Sequence, residues 1–316
     1  MQIKSKDAVI LENLERGLIT PVQATIELYE LHNTPFGPAL KQNNEQDSLI
    51  KAKEELNSLI GLDNVKKLIY EIEAYIAIQQ KRTLVNLSAN NLTLHMIFKG
   101  NPGTGKTTIA RILSNMFKGM GVLTKGHLVE VERADLVGEY IGHTAQKVRE
   151  QIKRAMGGIL FIDEAYSLAR GGEKDFGKEA IDTLVKSMED YKDSFILILA
   201  GYRDEMEHFL RTNPGLRSRF PIHIEFKDYT KDQLMDIAQL MVEKKQYKLS
   251  QGARRKLYTI LTKSFSTMEN TTGNARLVRN IIERAIRKQA VRLVNKKNIT
   301  RDELIYLLEE DFREET

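Results

Sequence analysis

The residues whose types and spacing can do chemistry sit in two short runs. The first is Gly100-Asn101-Pro102-Gly103-Thr104-Gly105-Lys106-Thr107-Thr108, a GxxxxGK[ST] pattern preceded by the apolar run Leu94–Phe98. Glycines let successive backbone N–H groups curl toward a phosphate, and a helix starting behind them adds the positive end of its dipole. In that setting the Lys106 ammonium is expected on the β- and γ-phosphates of ATP, and the Thr107 hydroxyl on Mg²⁺. Thr108 completes the pattern in a structural part. The second run lies fifty-seven residues beyond Lys106, where the apolar stretch Ile159–Ile162 delivers Asp163-Glu164. An acid at the C-terminal end of a buried strand, here Asp163, is placed to steady that metal. The carboxylate after it, Glu164, is then the base that polarises an attacking water. ATP binding, with hydrolysis to ADP and phosphate, is the expected chemistry.

Such residues work only if strands and helices hold them, and the surrounding pattern supplies both. Short apolar runs at Leu94–Phe98, His127–Val131, Ile159–Ile162, Phe195–Ala200 and Ile222–Phe226 alternate with helical segments. Near-continuous apolar strands in that rhythm predict an α/β fold, a five-stranded parallel sheet with helices on both faces. After Tyr229 the strands are expected to stop. Thr230–Gln233 is a capping-box pattern ahead of Leu234, Ile237, Ala238 and Met241, and Thr300–Glu303 repeats it ahead of the last helix, so a helical lid should follow. Upstream, Val65, Leu68, Ile69, Ile72 and Ile76 form the apolar stripe of one helix. Residues 1–33 read as one or two short helices. The run Thr34-Pro35-Phe36-Gly37-Pro38, with polar residues to Asp47, reads as a linker. The expected division is therefore 1–50 for a helical segment and linker, 51–228 for the α/β domain and 229–316 for the lid.

Composition narrows the function classes. With 316 residues, 41% of them hydrophobic, the chain can bury a large core and should hold more than one domain. No Cys is present, which excludes disulfides, thiolate metal sites and a Cys nucleophile, and fits a reducing cytoplasm. The first twenty residues carry charges throughout and lack an apolar signal core, and no stretch approaches a membrane span. The six His show no ligand-like pairing, and no Ser/His/Asp arrangement points to a covalent hydrolase. Net charge is +5, and Arg276–Lys297 holds eight basic side chains against one acidic. A run of that kind reads as the solvated face of a helix, so nucleic acid is not the expected partner.

With both nucleotide motifs in place, the region from about Ile60 to Ala290 resembles the AAA+ superfamily, and the resemblance implies several further roles. Ile60-Gly61-Leu62 is similar to the segment that meets the adenine base. Asn213–Phe220 is similar to the arginine-finger segment, which implies that Arg219, or else Arg217, reaches the γ-phosphate of a neighbouring subunit. Gly273-Asn274-Ala275-Arg276 is similar to the sensor-2 motif, with Arg276 contacting nucleotide from the lid. The fourth strand ends in Ala200-Gly201-Tyr202 where many AAA+ proteins have Thr-Asn, so Tyr202 stands in place of the usual sensor-1 amide. Tyr140-Ile141-Gly142 resembles the aromatic–aliphatic–Gly pore loop of peptide-threading motors, and Arg170–Gly177 a second axial loop. Gly126–Val129, Asp135–Thr144, Met156–Glu164 and Leu199–Tyr202 narrow the likeness to the CbbX-type group. That group implies a homo-oligomeric, hexameric ring that remodels a protein client. Abundant Lys, Ile and Asn and an acidic start bring the chain nearest its sporulation branch, which implies spore maturation. A Rubisco-activase-like remodeller, a DNA-acting motor and a nucleotide-gated scaffold are the alternatives.

Overall fold

A computed structural model describes residues 10, 13, 36–88, 93–140, 142–170, 176–192, 194–266 and 273–313. The short helices expected over residues 1–33 lie outside these apart from Ile10 and Asn13. Helix α1 (Phe36–Ser58) leads into α2 (Asp63–Leu84) and β1 (Met96–Gly100). Then come α3 (Lys106–Gly119), β2 (Leu128–Val131), α4 (Arg133–Leu136), α5 (His143–Ala155), β3 (Ile159–Ile162) and a 3-10 turn, Ala165–Ala169. Helix α6 (Gly177–Asp190), β4 (Ile196–Gly201), α7 (Arg203–Thr212), α8 (Pro214–Arg219) and β5 (Ile222–Phe226) complete the α/β part. The lid holds α9 (Lys231–Lys244), β6 (Lys248–Leu249), α10 (Gln251–Ser266), α11 (Asn274–Val294), α12 (Arg301–Ile305) and β7 (Tyr306–Leu307).

The five strands pair in parallel in the order β2-β3-β4-β1-β5. All five expected strands are present, each within two residues of its apolar run. Alternation along the strands feeds two cores. Met96, Phe98, Phe161 and Ile198 pack on one face with α1, α2 and α3, and Ile97, Leu160, Ile162 and Leu197 pack on the other with α5, α6 and α7. The inner strands β3 and β4, buried on both faces, are apolar at every position, whereas the edge strands β2 and β5 alternate, with Glu130 on one and His223 and Glu225 on the other. The first core continues without a break into the lid through Leu234, Ala238, Leu257, Val278 and Ile282. Both capping boxes form. Thr230 accepts from the Gln233 N–H at 3.3 Å and Thr300 from the Glu303 N–H at 3.3 Å, each adding about 1 kcal/mol to its helix.

Two readings need correction. The segment read as a linker to Asp47 is the first half of α1, and the expected division at residue 50 falls inside that helix. Pro35 precedes the helix and Pro38 lies in its first turn, where backbone N–H groups have no intrahelical acceptor, so neither proline breaks it. Strands also do not end at Tyr229. Lys248 and Leu249 pair in parallel with Tyr306 and Leu307 inside the lid. Two residues per strand are too few to show a period in sequence.

One buried group makes stability depend on pH. His95 enters β1 between the rings of Phe195 and Phe220, and its Nδ1 accepts the Leu197 N–H at 3.0 Å. Burial holds its pKa at about 4 against an ordinary 6.5, so the folded ring stays neutral where the unfolded chain's imidazole takes up a proton. Stability is therefore full above pH 6.5 and falls as pH drops from there toward 4, with a loss of about 2 kcal/mol between pH 7 and 5. Urea unfolding at those two pH values should show this loss. Its shrinkage in His95→Asn, whose amide oxygen can accept the same N–H without titrating, assigns it; an unchanged loss would place the proton elsewhere.

Candidate active site

At the C-terminal ends of β1, β3 and β4 the structure opens a cavity of about 880 Å³. Lys106, Thr107, Asp163, Glu164, Tyr202 and Arg276 all border it. They arrive from four separate segments: the start of α3, the end of β3, the residue after β4 and the lid helix α11, which close around the loop that follows β1. In an open parallel sheet this crevice beyond the strand ends is where a ligand meets backbone N–H groups. The loop needs its glycines. Gly103 has φ 73°, and a Cβ there would lie 2.4 Å from the Gly273 carbonyl oxygen. Gly105, at φ 100°, stands directly before α3.

Within the loop, side chains divide by direction. Pro102, Gly103, Gly105, Lys106, Thr107 and Thr108 border the cavity. Asn101 instead turns to the Asp228 carboxylate at 2.9 Å, and buried Thr104 turns its hydroxyl to the Asn101 carbonyl at 2.7 Å. Lys106 donates to the Gly100 and Asn101 carbonyls at 2.8 and 2.9 Å. Burial pulls its pKa below the usual lysine value, and the charges of Asp163 and Glu164 offset part of that fall.

Asp163 accepts the Glu164 N–H at 3.0 Å. Glu164 is exposed, in the left-handed region at φ 47°, an unusual conformation for a carboxylate residue and a common one at sites that hold strain. The buried Tyr166 ring lies beside it, 5.9 Å from the Tyr202 ring, with the Arg170 guanidinium 4.6 Å above the Tyr166 face. Burial, and after it the Glu164 charge, raises the Tyr166 phenol above its ordinary pKa.

The donor set fits a magnesium nucleotide. Lys106, Arg133, Arg276 and Arg279 surround the cavity with positive charge, and Glu132, Asp163 and Glu164 oppose it. Among the described residues no group of three or more His, Asp or Glu could hold a metal alone. A hard divalent cation at Asp163 and Thr107 would therefore complete its oxygen shell from phosphate and water, as Mg²⁺ does.

Other expected residues lie elsewhere. Ile60 packs into the first core and Gly61 faces the Gln233 side chain, so neither borders the cavity; Leu62 comes nearest, at Gly105. Arg217 and Arg219 sit on α8 and are not among the cavity-lining side chains. Arg219 is paired with Glu189 of α6, with Nε to the carboxylate at 2.9 Å, and donates to the Gly215 carbonyl at 2.8 Å. Tyr140 is 66% exposed on the α4–α5 loop. The loop's base is pinned where buried Thr144 accepts the Gly138 N–H at 2.9 Å. Ile141, and most of the stretch read as a second axial loop, lie outside the described residues, whereas Gly142 opens α5 at φ 83°. Sequence reasoning missed Arg133, Tyr166 and Arg279. Only Arg279 left a signal, three residues after Arg276 and hence on the same helix face.

Comparison with known proteins gives this arrangement a family. The sequence model of the ATPase family associated with various cellular activities matches residues 96–228, and the model of an AAA lid domain matches residues 230–316. Stage V sporulation protein K of Bacillus subtilis (strain 168) is 52% identical over 305 residues, covering 96% of this chain and 92% of that one. The chain belongs to the AAA ATPase family. Protein CbbX of Cereibacter sphaeroides is 44% identical, over 88% of this chain and 91% of that protein. The chloroplastic ribulose bisphosphate carboxylase/oxygenase activase of Cyanidioschyzon merolae is 42% identical, over 86% and 92%. In fold, the AAA ATPase superposes on the crystal structure of the FIGL-1 AAA domain in complex with ADP, with a TM-score of 0.55 at 18% identity over 81% and 80% of the two chains. It binds nucleotide and hydrolyses ATP.

Substitution separates binding from turnover at this cavity. Lys106→Ala should weaken binding of a fluorescent ATP analogue, whereas Glu164→Gln should keep binding and lower kcat by about 10²- to 10⁴-fold. Normal turnover in Glu164→Gln would remove Glu164 from the role of base.

Proposed function

We propose that this AAA ATPase acts in the cytoplasm as a homo-oligomeric ring, most simply a hexamer, that couples ATP hydrolysis to remodelling of a protein client. In this reading the loop N–H groups and Lys106 bind the β- and γ-phosphates. Thr107 and Asp163 hold Mg²⁺, Glu164 activates water, Tyr202 takes the sensor-1 place and Arg276 contacts nucleotide from the lid. One observation carries the ring: Arg219, and Arg217 beside it, stand outside their own chain's cavity. A guanidinium that is to meet charge developing on a γ-phosphate must then serve a neighbouring copy's site.

The exposed Tyr140, at the tip of a loop whose base is pinned, supports a protein client. An aromatic ring on such a tip can grip extended polypeptide without reading its sequence. No helix among the described residues is long and apolar enough to cross a membrane. Spore maturation is the client pathway we favour, because the sporulation relative is 52% identical over nearly all of both chains. A Rubisco-activase-like role is the second reading, favoured by the activase relative at 42%.

Subunit mixing tests the ring. Lys106→Ala and Arg219→Ala should each cost about 10³-fold in turnover, and mixing them should restore up to about a quarter of the parent rate, since random assembly joins an intact loop to an intact finger at that share of interfaces. No recovery on mixing, with both variants assembled, would overturn the shared site. For the client, Glu164→Gln held in ATP should retain a bound protein, and adding Tyr140→Ala should release it. Retention of nucleic acid, or of protein regardless of Tyr140, would refute the pore-loop reading.

A further inference from the structure

A loop that aims its N–H groups at a phosphate must turn its carbonyls outward, and each buried carbonyl then needs a donor. The donors can be traced one by one. The Gly100 and Asn101 carbonyls accept from Lys106 Nζ, inside the loop itself. The next three are served from outside. The Pro102 carbonyl accepts from Asn274 Nδ2 at 3.3 Å, and the Gly103 carbonyl from the Ala275 N–H at 3.1 Å. The Thr104 carbonyl accepts from the Tyr229 hydroxyl at 3.2 Å. Tyr229 belongs to the hinge between the α/β domain and the lid, and residues 274 and 275 are the first two of lid helix α11.

Asn274 is fully buried and sits at φ 45°, a left-handed conformation that asparagine tolerates better than most residues. Its amide orientation is fixed by its neighbours. The Tyr229 N–H must donate, so it takes Oδ1 at 3.0 Å, which turns Nδ2 toward the Asp228 carboxylate at 2.8 Å as well as toward Pro102. The same carboxylate receives Asn101 Nδ2 from the loop. Asp228 is thus the shared acceptor of one amide from the phosphate loop and one from the lid.

We infer that Asn274 is a positioning residue for nucleotide binding: with Asp228 and Tyr229 it fastens the lid to the outer carbonyls of Pro102–Thr104 and so holds the loop's N–H groups inward. The lid is then part of the phosphate site's framework, independently of any contact Arg276 makes. Because these bonds hold the loop's backbone rather than the γ-phosphate, the residue acts on ADP and ATP alike, and its loss shows in affinity more than in the chemical step.

Two substitutions isolate the amide. Asn274→Gly keeps the left-handed backbone without strain and deletes the side chain; Asn274→Asp keeps the shape and replaces the donor with a second carboxylate against Asp228. Each should raise the Kd for fluorescent ADP and the KM for ATP about tenfold, with kcat falling less than about threefold. Adding Asp228→Asn to Asn274→Asp restores a donor and an acceptor between the two positions, and should recover part of the lost ADP affinity, the Pro102 carbonyl still lacking its donor. If Asn274→Asp does not fold, Tyr229→Phe removes the Thr104 donor alone and should raise the Kd by about threefold. A Kd within about twofold of the parent in the folded variants would overturn the inference. So would an affinity loss that Asp228→Asn leaves untouched and that tracks a lowered nucleotide-free unfolding temperature.

Discussion

Every buried peptide carbonyl must find a donor, and in this protein that requirement ties the nucleotide cavity to the rest of the chain. The run from Gly100 to Thr104 has no helix or sheet ladder to satisfy it after β1 ends. Its partners come from Lys106, from the hinge at Tyr229 and from the lid at Asn274 and Ala275. The loop's shape is consequently a property of two domains, and the residues that fix it lie 125 and 172 positions away in sequence. A glycine at 103 is required for the same reason, since the lid backbone approaches so closely that no Cβ fits.

That approach is possible because, among the described residues, the lid's core is continuous with that of the α/β domain. Its apolar residues Leu234, Leu257, Val278 and Ile282 belong to the same cluster as Met96 and Phe98 of β1. A domain joined through a continuous apolar core resists separation more than one joined through a polar interface. Polar contacts at Asn274 and Asp228 then set orientation, because hydrogen bonds are directional where apolar burial is not. The division of labour suits a joint whose angle, rather than whose existence, has to respond to a ligand.

Much of this was legible in sequence. The glycine-rich loop, the acid pair after an apolar strand and five strands came from local patterns with local physical causes, and the structure brings Lys106, Thr107, Asp163 and Glu164 to one cavity. The helix over residues 36–58 was misread because proline was weighed as a breaker without regard to its position in the first turn. The lid strands were too short to leave a period. The joint bonding role of Asn274, read only as part of the sensor-2 segment, and of Asp228 was invisible for a different reason. Each is an ordinary polar residue in its own segment and gains meaning only when the hinge folds the lid onto the loop. Arg133 likewise carries no local mark, and its place on the cavity wall depends on where β2 ends.

The Arg219–Glu189 pair holds its guanidinium only weakly. Arg219 is about one-third exposed and Glu189 more than half, so water screens the pair and it is worth no more than about 1 kcal/mol. Such a pair still restricts where the guanidinium points, at the end of a short helix already fixed by buried Leu216 and Phe220. On the ring reading, a phosphate on the adjoining copy offers more charge in a drier setting than Glu189 does, so exchange of partners is downhill and needs little rearrangement. Glu189 stands in the last turn of α6, which packs against the 3-10 turn following Glu164, so one packed stretch links the proposed base of one site to the residue that restrains the proposed finger for the next. Coupling between neighbouring sites then requires only that this stretch have two arrangements, one with Arg219 held at home and one with it given up.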